Sequence, residues 1–542
     1  MTLAEKITHL RVTANMSQEQ LASHISVSRQ SVSKWEKGEA NPKVDKLVEL
    51  SQLFHVSVDQ LLDDNCQLNV RKSEIKAPMK NKYFGTDGFR GESNKNLTAY
   101  HAYQVGRFLG WYYSQVPFIG KHKKGEHARI VIGKDTRRSS YMYEYALCAG
   151  ITASGADAYI LHVTTTPSVS YVTRTEGFDC GVMITASHNV FYDNGIKILN
   201  ERGEKLDDDV THLIEFYIDG KMEELGLEGD LPYATRENIG YVVDHVGGRN
   251  RYTGYLISTS ATSFRDLRIG LDCANGAAWM IARNVFSALG ANLMVIGDEP
   301  NGLNVNKGIG STHIEKLQQL VKENHLDVGF AFDGDCDRCL AVDENGEIVD
   351  GDKIMYILAQ RSKRNGYLHN NTVVSTIMSN SGLTKALKEA GINNVQTKVG
   401  DRFVYEEMMK NNYWLGGEQS GHIIIRKYAT TGDGILTAIK ITEEMIDKKS
   451  SLSKLAEPVK LYPQYLKNVR VIDKKMVANN PLIQQKVAKI NEELTNKGRI
   501  LLRESGTEPV IRIMVEADDE QLCLNYIDDI FNLIKKGGYL GE

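Results

Sequence analysis

Three aspartates spaced by two, Asp333, Asp335 and Asp337 in "DVGFAFDGDCDRCLAVD", carry the most direct chemical implication in this 542-residue chain. In an extended loop, alternate residues project to one side, so the three carboxylates can jointly grip a hard cation such as Mg²⁺. Acids that close repel one another until a cation neutralises them. Two plainer arrangements compete. A calcium EF-hand loop would put Glu344 at its twelfth position, but Arg338 stands where that loop needs glycine. In addition, "VGFAF" and "CLAVD" read as strands where helices are required. A solvated acidic turn needs no ligand, yet the apolar flanks would hold this loop rigid.

Ser187 lies in "TASHNVFYDNGIK", directly after the apolar run "CGVMI". A lone serine at a strand end is most often a cap or turn former, so its meaning rests on its partners. In "LGGEQSGHIII", glycines bracket Glu418, Ser420 and His422, offering a carboxylate, a hydroxyl and an imidazole to vicinal sugar hydroxyls. In "RILLRESGTEPVIRIMVE", two strands flank a turn at Ser505, Gly506 and Thr507, with Arg503 before it and Arg512 after. Backbone N–H groups, hydroxyls and guanidiniums there match the needs of a phosphate dianion. A plain hairpin explains Gly506 and Pro509 but not the bracketing arginines. The chemistry that uses all four segments is phosphoryl transfer to and from a sugar phosphate, with Ser187 as carrier. The cation would neutralise the transferred charge, and the arginine cradle would hold the phosphate that is not reacting.

Such groups need a scaffold. From residue 82 onward, apolar runs alternate with helical segments, as in "ARIVIGKD", "YMYEYALCAGITASG" and "DAYIL", which is α/β organisation. Further units begin at "RIGLDCANGAA" and "NTVVSTIMSN", without a strict sequence period. The length predicts about three to five domains. A formal net charge of −4 gives no global reason for nucleic acid or anionic membrane as the main partner. No signal-peptide core and no run of eighteen apolar residues occurs, so a soluble cytoplasmic protein without a membrane partner is expected. The seven cysteines are scattered and odd in number, and the one close pair, Cys336 and Cys339, has no second ligand pair, so neither disulfides nor a zinc site are expected.

Residues 1–62 read differently, as several short helices. Ser17 with Gln20 forms a capping box, and a turn follows around Ile25 to Val27. Ser28 caps "RQSVSKWEKG", in which Val32 and Trp35 share one face, and Gly38 stops the helix. Asn41 and Pro42 open a helix striped by Val44, Leu47, Val48 and Leu50, and "VSVDQLL" adds a last one. This stretch resembles the helix-turn-helix domain of the Cro/C1-type (XRE) repressors. The resemblance implies that Arg29, Gln30, Ser33 and Lys34 contact DNA from the major groove. Against that, residues 1–62 carry seven Lys/Arg and seven Asp/Glu, so a protein-interaction module is the alternative. Residues 63–81 are polar and aperiodic, a linker.

Residues 82–542 resemble the α-D-phosphohexomutases and, among them, the bacterial phosphoglucosamine mutases. "KYFGTDGFRG", "TASHN" with "DNGIK", "DGDCDR", "GEQSGH" and "RESGTEPVIR" match the motifs in order, and "IGDEPNGLNVNKGIGST" and "KVGDRFV" read like that branch. The resemblance implies a multidomain chain. An all-α helix-turn-helix module would precede four domains: domain I at 82–242 (phosphoserine loop), domain II at 243–347 (metal loop), domain III at 348–456 (sugar loop) and domain IV at 457–542 (phosphate loop). The first three would be related α/β domains and the last α+β.

It further implies interconversion of glucosamine 6-phosphate and glucosamine 1-phosphate through a phosphoserine at Ser187 and a sugar 1,6-bisphosphate, which also serves as activator. Mg²⁺ would sit on the Ser187 phosphate, Asp333, Asp335 and Asp337. Arg90, Lys197 and His422 would line the cleft as proton-transfer and phosphate-pairing groups. Arg338, Glu418 and Ser420 would contact the sugar, and Arg503, Ser505, Gly506, Thr507 and Arg512 the distal phosphate. His188 is read as shaping its loop. A homodimer, a glucose or mannose phosphate substrate, and a sugar-sensing regulator with a weakened mutase body stay open. Two departures bear on activity: Val190 stands where the family usually has proline, and Cys336 where it has Gly or Ala.

Overall fold

The computed structural model describes residues 2–13, 18, 21–22, 25, 27–54, 61–62, 81–85, 87–115, 126–495, 497–504 and 510–541. The chain divides into two compact units, Met1–Lys80 and Asn81–Glu542.

In the first unit, helices run over Leu3–Thr13, Arg29–Glu36 and Val44–Leu53. The Ser28 hydroxyl accepts the Ser31 N–H and caps the second of these, supplying one of the acceptors its first turn lacks. Val32 and Trp35 turn inward against Ile7, Leu10, Leu21 and Leu50. Gly38 takes φ +71° just past the helix, a conformation that costs an L side chain about 1–2 kcal/mol. The opposite face leaves Arg29, Gln30 and Lys34 exposed and Ser33 half-buried. The Ser17 capping box lies outside the described residues, as does most of the last helix, of which residues 61–62 are helical.

The second unit contains four sheets among the described residues. The first has seven strands: β1 (Phe84–Gly85), β2 (Gly88–Glu92), β3 (Arg129–Lys134), β4 (Asp157–Val163), β5 (Cys180–Ile184), β6 (Asp193–Asn200) and β7 (Val242–Asp244). Their spatial order is β1-β2-β6-β5-β3-β4-β7, with β5, β3, β4 and β7 parallel. Every residue of β5 is buried, because helices cover both faces, as a parallel sheet requires. Alternation sorts them: Val182 and Ile184 pack toward helices Ala99–Gln115 and Arg138–Ala153, and Met183 toward Thr166–Thr175. The first two helices touch closely at Gly106, where a Cβ would come within 2.4 Å of the Leu147 carbonyl.

The second sheet comprises β8 (Arg268–Asp272), β9 (Asn292–Ile296), β10 (Val328–Phe332), β11 (Cys339–Asp343) and β12 (Ile348–Val349), in the order β12-β11-β10-β8-β9. The third comprises β13 (Thr372–Thr376), β14 (Asn393–Thr397), β15 (Leu415–Gly417) and β16 (Ile423–Ile425), in the order β14-β13-β15-β16. The three α/β sheets share one device. Each has a parallel core and an antiparallel strand pair, β5–β6, β10–β11 or β15–β16, whose connection carries a chemically loaded segment. This recurrence explains why similar units are legible in the sequence without a strict repeat.

The last sheet is antiparallel and α+β in character. Strands β17 (Gln464–Arg470), β18 (Gly498–Glu504) and β19 (Val510–Ala517) are ordered β17-β19-β18 and packed on helices Pro481–Glu493 and Glu520–Lys536. The six described cysteines are free and buried. No described helix is long and apolar enough to cross a membrane.

Candidate active site

Ser187 follows β5 with φ +51°, a strained conformation for a residue with a Cβ. It is buried, and its Oγ donates to Asp333 Oδ2 at 2.6 Å. The loop around it is clamped from beneath. Arg137, fully buried, donates from Nη2 to the Ser187 and Asn189 carbonyls (both 2.9 Å) and from Nη1 to the Val190 carbonyl (2.5 Å). Asn306 Nδ2 donates to the same Ser187 and Asn189 carbonyls at 2.8 and 2.9 Å. Arg137 is itself held by Asp135 (2.8 Å), which also accepts the Thr185 hydroxyl (2.8 Å). The φ constraint lost with Val190 is thus accompanied by hydrogen bonds to its carbonyl.

The aspartate segment departs from the extended loop expected of it. Cys336 adopts φ +61° and its N–H donates to the Asp333 carbonyl at 3.1 Å, closing a tight turn. The turn, not strand alternation, brings the carboxylates together. One oxygen each from Asp333, Asp335 and Asp337 lies within 4.8 Å of the others. A Cβ on Gly334 would meet the Ser187 carbonyl at 2.5 Å, so only glycine allows this turn to approach the serine loop. The Oδ1 atoms of Asp335 and Asp337 are buried without hydrogen-bond partners, a costly condition that a hard cation relieves. The donor set therefore fits a divalent cation. Burial, followed by the charges of Asp337 and Asp335, pushes the Asp333 carboxyl well above its usual range. Burial acts on Asp337 in the same direction, but Lys197, then His422 and Arg338, hold it well below.

Around this cluster, Lys197 on β6 lies 2.8 Å from Asp335, 3.0 Å from Asp337 and 3.1 Å from Asp87. Burial works against its charge, but these acids outweigh burial and raise its pKa well above the lysine range. Arg90 on β2 pairs with Asp87 and reaches the Ala186 carbonyl at 3.4 Å. His422, buried between β16 and the aspartate turn, accepts the Gly432 N–H on Nε2 at 3.1 Å. Its Nδ1 lies 3.7 Å from Asp337 and its Nε2 3.5 Å from Asp401. Burial opposes a second proton, while Asp401 and Asp337 favour one, up to a pKa of about 9. The amide bond requires a lone pair on Nε2 and is the firmer constraint, so the ring rests neutral with its proton on Nδ1. His188 Nδ1 lies 3.4 Å from Ser187 Oγ; burial, then Arg338 and Arg90, lower its pKa to about 4.

Glu418 opens the β15–β16 turn and accepts the Gly400 N–H at 3.0 Å, and Ser420 is exposed at the tip. Burial raises the Glu418 pKa. The Arg338 backbone pairs with that of His422 in an isolated antiparallel β-bridge, and its side chain carries a buried Nε without a hydrogen-bond partner. Arg503 and Arg512 face each other across β18–β19, on a different sheet from Ser187. Burial and then Arg512 lower the Arg503 pKa, a repulsion that a bound anion would relieve. Ser505, Gly506 and Thr507 lie outside the described residues.

Several site residues carried a weak sequence signal or none. Asp87 and Asp401, bridged by Lys205 at 3.2 and 2.7 Å, border a cavity of about 350 Å³ beside Lys197 and Asp337. Both sit inside quoted motifs without standing out there, as does Asn306. Arg137 and Thr166, whose hydroxyl donates to Asp335 at 2.5 Å, lie in no motif.

Cys336 allows a direct test of the turn. Cys336→Gly is expected to leave stability within about 1 kcal/mol, because relief of the left-handed strain offsets glycine's backbone entropy. Cys336→Val, β-branched at positive φ in a fully buried place, is expected to destabilise by about 2–3 kcal/mol in denaturant titration.

Family models match nearly end to end: helix-turn-helix at 7–61, then phosphoglucomutase/phosphomannomutase alpha/beta/alpha domain I at 81–224, domain II at 250–346, domain III at 350–462 and the C-terminal domain at 466–533. A phosphoglucosamine mutase of Lachnospira eligens is 58% identical over 84% of this chain and 99% of its own length. One from Streptococcus pneumoniae serotype 2 is 48% identical over 84% and 98%. A phosphoglucomutase/phosphomannomutase family protein of Burkholderia thailandensis shares the fold with TM-score 0.66 at 23% identity, covering 84% of this chain and 97% of that one. An N-acetylphosphoglucosamine mutase of Aspergillus fumigatus, solved with GlcNAc-6P and magnesium, does so with TM-score 0.61 at 18% identity, covering 85% of this chain and 97% of its own. Residues 81–533 thus carry the four domains of a mutase behind an XRE-type helix-turn-helix, and the chain belongs to the phosphoglucosamine mutase family.

Proposed function

We propose that Ser187 is the phosphate carrier of this mutase, passing its phosphate to glucosamine 6-phosphate and recovering one from the resulting glucosamine 1,6-bisphosphate to leave glucosamine 1-phosphate. The observation that carries this reading is the 2.6 Å contact of Ser187 Oγ with Asp333 inside a turn of three converging carboxylates. Asp333, Asp335 and Asp337, with the phosphate on Ser187, would hold Mg²⁺, which when bound neutralises charge on the transferring group. Lys197 stays cationic beside them and pairs with that group, with Arg90 as a second guard. His422, neutral with a proton on Nδ1, serves proton exchange at the sugar hydroxyls together with Lys197. Arg338, Glu418 and Ser420 orient the sugar. Arg503 and Arg512, with Ser505, Gly506 and Thr507, hold the distal phosphate, which lets the intermediate reverse without leaving. The domain limits follow the same scheme: 82–242, 243–347, 348–456 and 457–542, after a linker at 63–81. A cytoplasmic location follows from the sugar phosphates it uses.

Purified full-length protein is expected to turn over glucosamine 6-phosphate with Mg²⁺ and a catalytic amount of glucose 1,6-bisphosphate. Its kcat/KM should exceed that for glucose and mannose phosphates, and a chelator should abolish turnover until Mg²⁺ is restored. Binding of the sugar phosphate without turnover would favour a sensor instead.

For the front unit we infer DNA binding, supported by the exposed row Arg29, Gln30 and Lys34 beside Ser33 on a capped helix. Duplexes selected from a random pool should lose about tenfold or more in affinity on Arg29→Ala or Lys34→Ala, with an affinity that falls as salt rises. Salt-independent or unselective binding would leave the protein-interaction alternative.

A further inference from the structure

A second cavity, of about 520 Å³, shares no lining residue with the cavity beside Lys197 and Asp337. It opens where β3 and β4 end, at the carboxyl edge of a parallel sheet, the edge at which open α/β sheets bind ligands. Arg138 begins the helix after β3, Arg249 comes from helix Val246–Ser258, and Trp279 from helix Ala278–Ala288. Gly302, at φ +86°, lays the 300–302 segment on Arg138, whose N–H donates to the Gly302 carbonyl at 3.1 Å; a Cβ there would sit 3.3 Å from that nitrogen.

Three features set this cavity apart from ordinary surface. Among the described residues, no carboxylate lies within ion-pair distance of the Arg138 or Arg249 guanidinium, although Arg249 is half-buried and burial pulls its pKa down. Arg249 Nη1 donates only a long bond, 3.3 Å, to the Val163 carbonyl. Next, the β3–β4 pairing slips between Ile132 and Gly133, so that Leu161 is left over and His162 is forced to φ +60° at the cavity wall. A bulge of this kind re-aims a side chain, and non-glycine residues at positive φ concentrate at binding sites. The acid that faces His162 is Asp244, 3.4 Å from Nε2 and largely exposed, outside the cavity lining. Lastly, Trp279 and Tyr141 add flat apolar surface to the same walls.

Two cations with no carboxylate in ion-pair contact, Asp244 acting on Arg249 only from beyond that distance, a re-aimed imidazole and a half-buried indole in a volume of this size match a ligand that is anionic at one end and planar at the other. We propose that this groove binds a nucleoside diphosphate, with its phosphates on Arg138 and Arg249 and its base on Trp279. Because the groove joins the first sheet to elements of the second, occupancy ties those two α/β units together.

The test is calorimetric titration of the full chain with ADP and UDP, each in the presence of saturating glucosamine 6-phosphate so that the sugar-phosphate site is filled. Saturable binding is expected, weakened at least tenfold by Arg138→Ala with Arg249→Ala and about tenfold by Trp279→Ala, since stacking on one aromatic ring contributes at about this level. Mutase turnover of the Trp279→Ala variant at low nucleotide should match the parent, which shows the variant is folded. Absence of binding by both nucleotides overturns the proposal, as does binding that the arginine pair does not affect. Inorganic pyrophosphate binding as tightly as ADP would also overturn it, because the planar half of the ligand would then be irrelevant.

Discussion

Ser187→Ala is expected to lower mutase turnover by at least about 10⁴-fold while leaving sugar-phosphate binding within a few-fold of the parent. Removing the nucleophile of a covalent mechanism eliminates the chemical step and spares the contacts that only bind. The structural cost is small. One hydrogen bond to Asp333 disappears, a loss of about 1 kcal/mol, and alanine tolerates φ +51° no worse than serine. Incubation of the parent with labelled glucose 1,6-bisphosphate should transfer label to the protein at Ser187, and the variant should stay unlabelled. Residual turnover within tenfold of the parent would remove Ser187 from the mechanism. It would leave the aspartate turn as a binding feature alone.

Arg137→Ala is expected to cost the catalytic unit about 3–5 kcal/mol, among the largest losses available to one substitution in this chain. Asp135 and Arg137 are both wholly buried, so truncation strands the carboxylate without its cation. It also strips one donor from the carbonyls of Ser187 and Asn189, which keep Asn306, and from that of Val190, which keeps the Asp193 N–H. Thermal unfolding reads the stability loss, and kcat reads the loosening of the serine loop. Asp135→Asn combined with Arg137→Met, which removes the charge from both partners, should recover part of the stability but little of kcat. A loop position held by packing alone would instead lose stability without losing kcat.

The readable part of the site follows from local grammar. "DGDCDR", "GEQSGH" and "RESGTEPVIR" announce themselves because a turn, a small residue and a charged group recur within a few positions, and their apolar flanks mark the strands. The same grammar misled at one point. Alternation over Asp333–Asp337 implies an extended loop, whereas a left-handed Cys336 closes it into a turn, and the one sign of that positive φ was that Cys336 stands where the family usually has Gly or Ala. Arg137 was illegible for a different reason. "DTRRSS" holds two adjacent arginines, and nothing local tells that the first is fully buried under the serine loop while the second is exposed.

The sequence by itself therefore determined the chemical inventory: a serine at a strand end, a trio of acids, an imidazole loop, two arginines around a turn, and a separate helical module in front. Those features live within a dozen residues, where backbone propensity and side-chain spacing decide the outcome. Only the tertiary structure decided which of them meet. Ser187 touches Asp333 across 146 positions, Thr166 touches Asp335 across 169, and Asn306 reaches the serine loop across 119. Contacts at such separations are set by how whole sheets pack, and burial then fixes which charges are held, repelled or left waiting for a ligand.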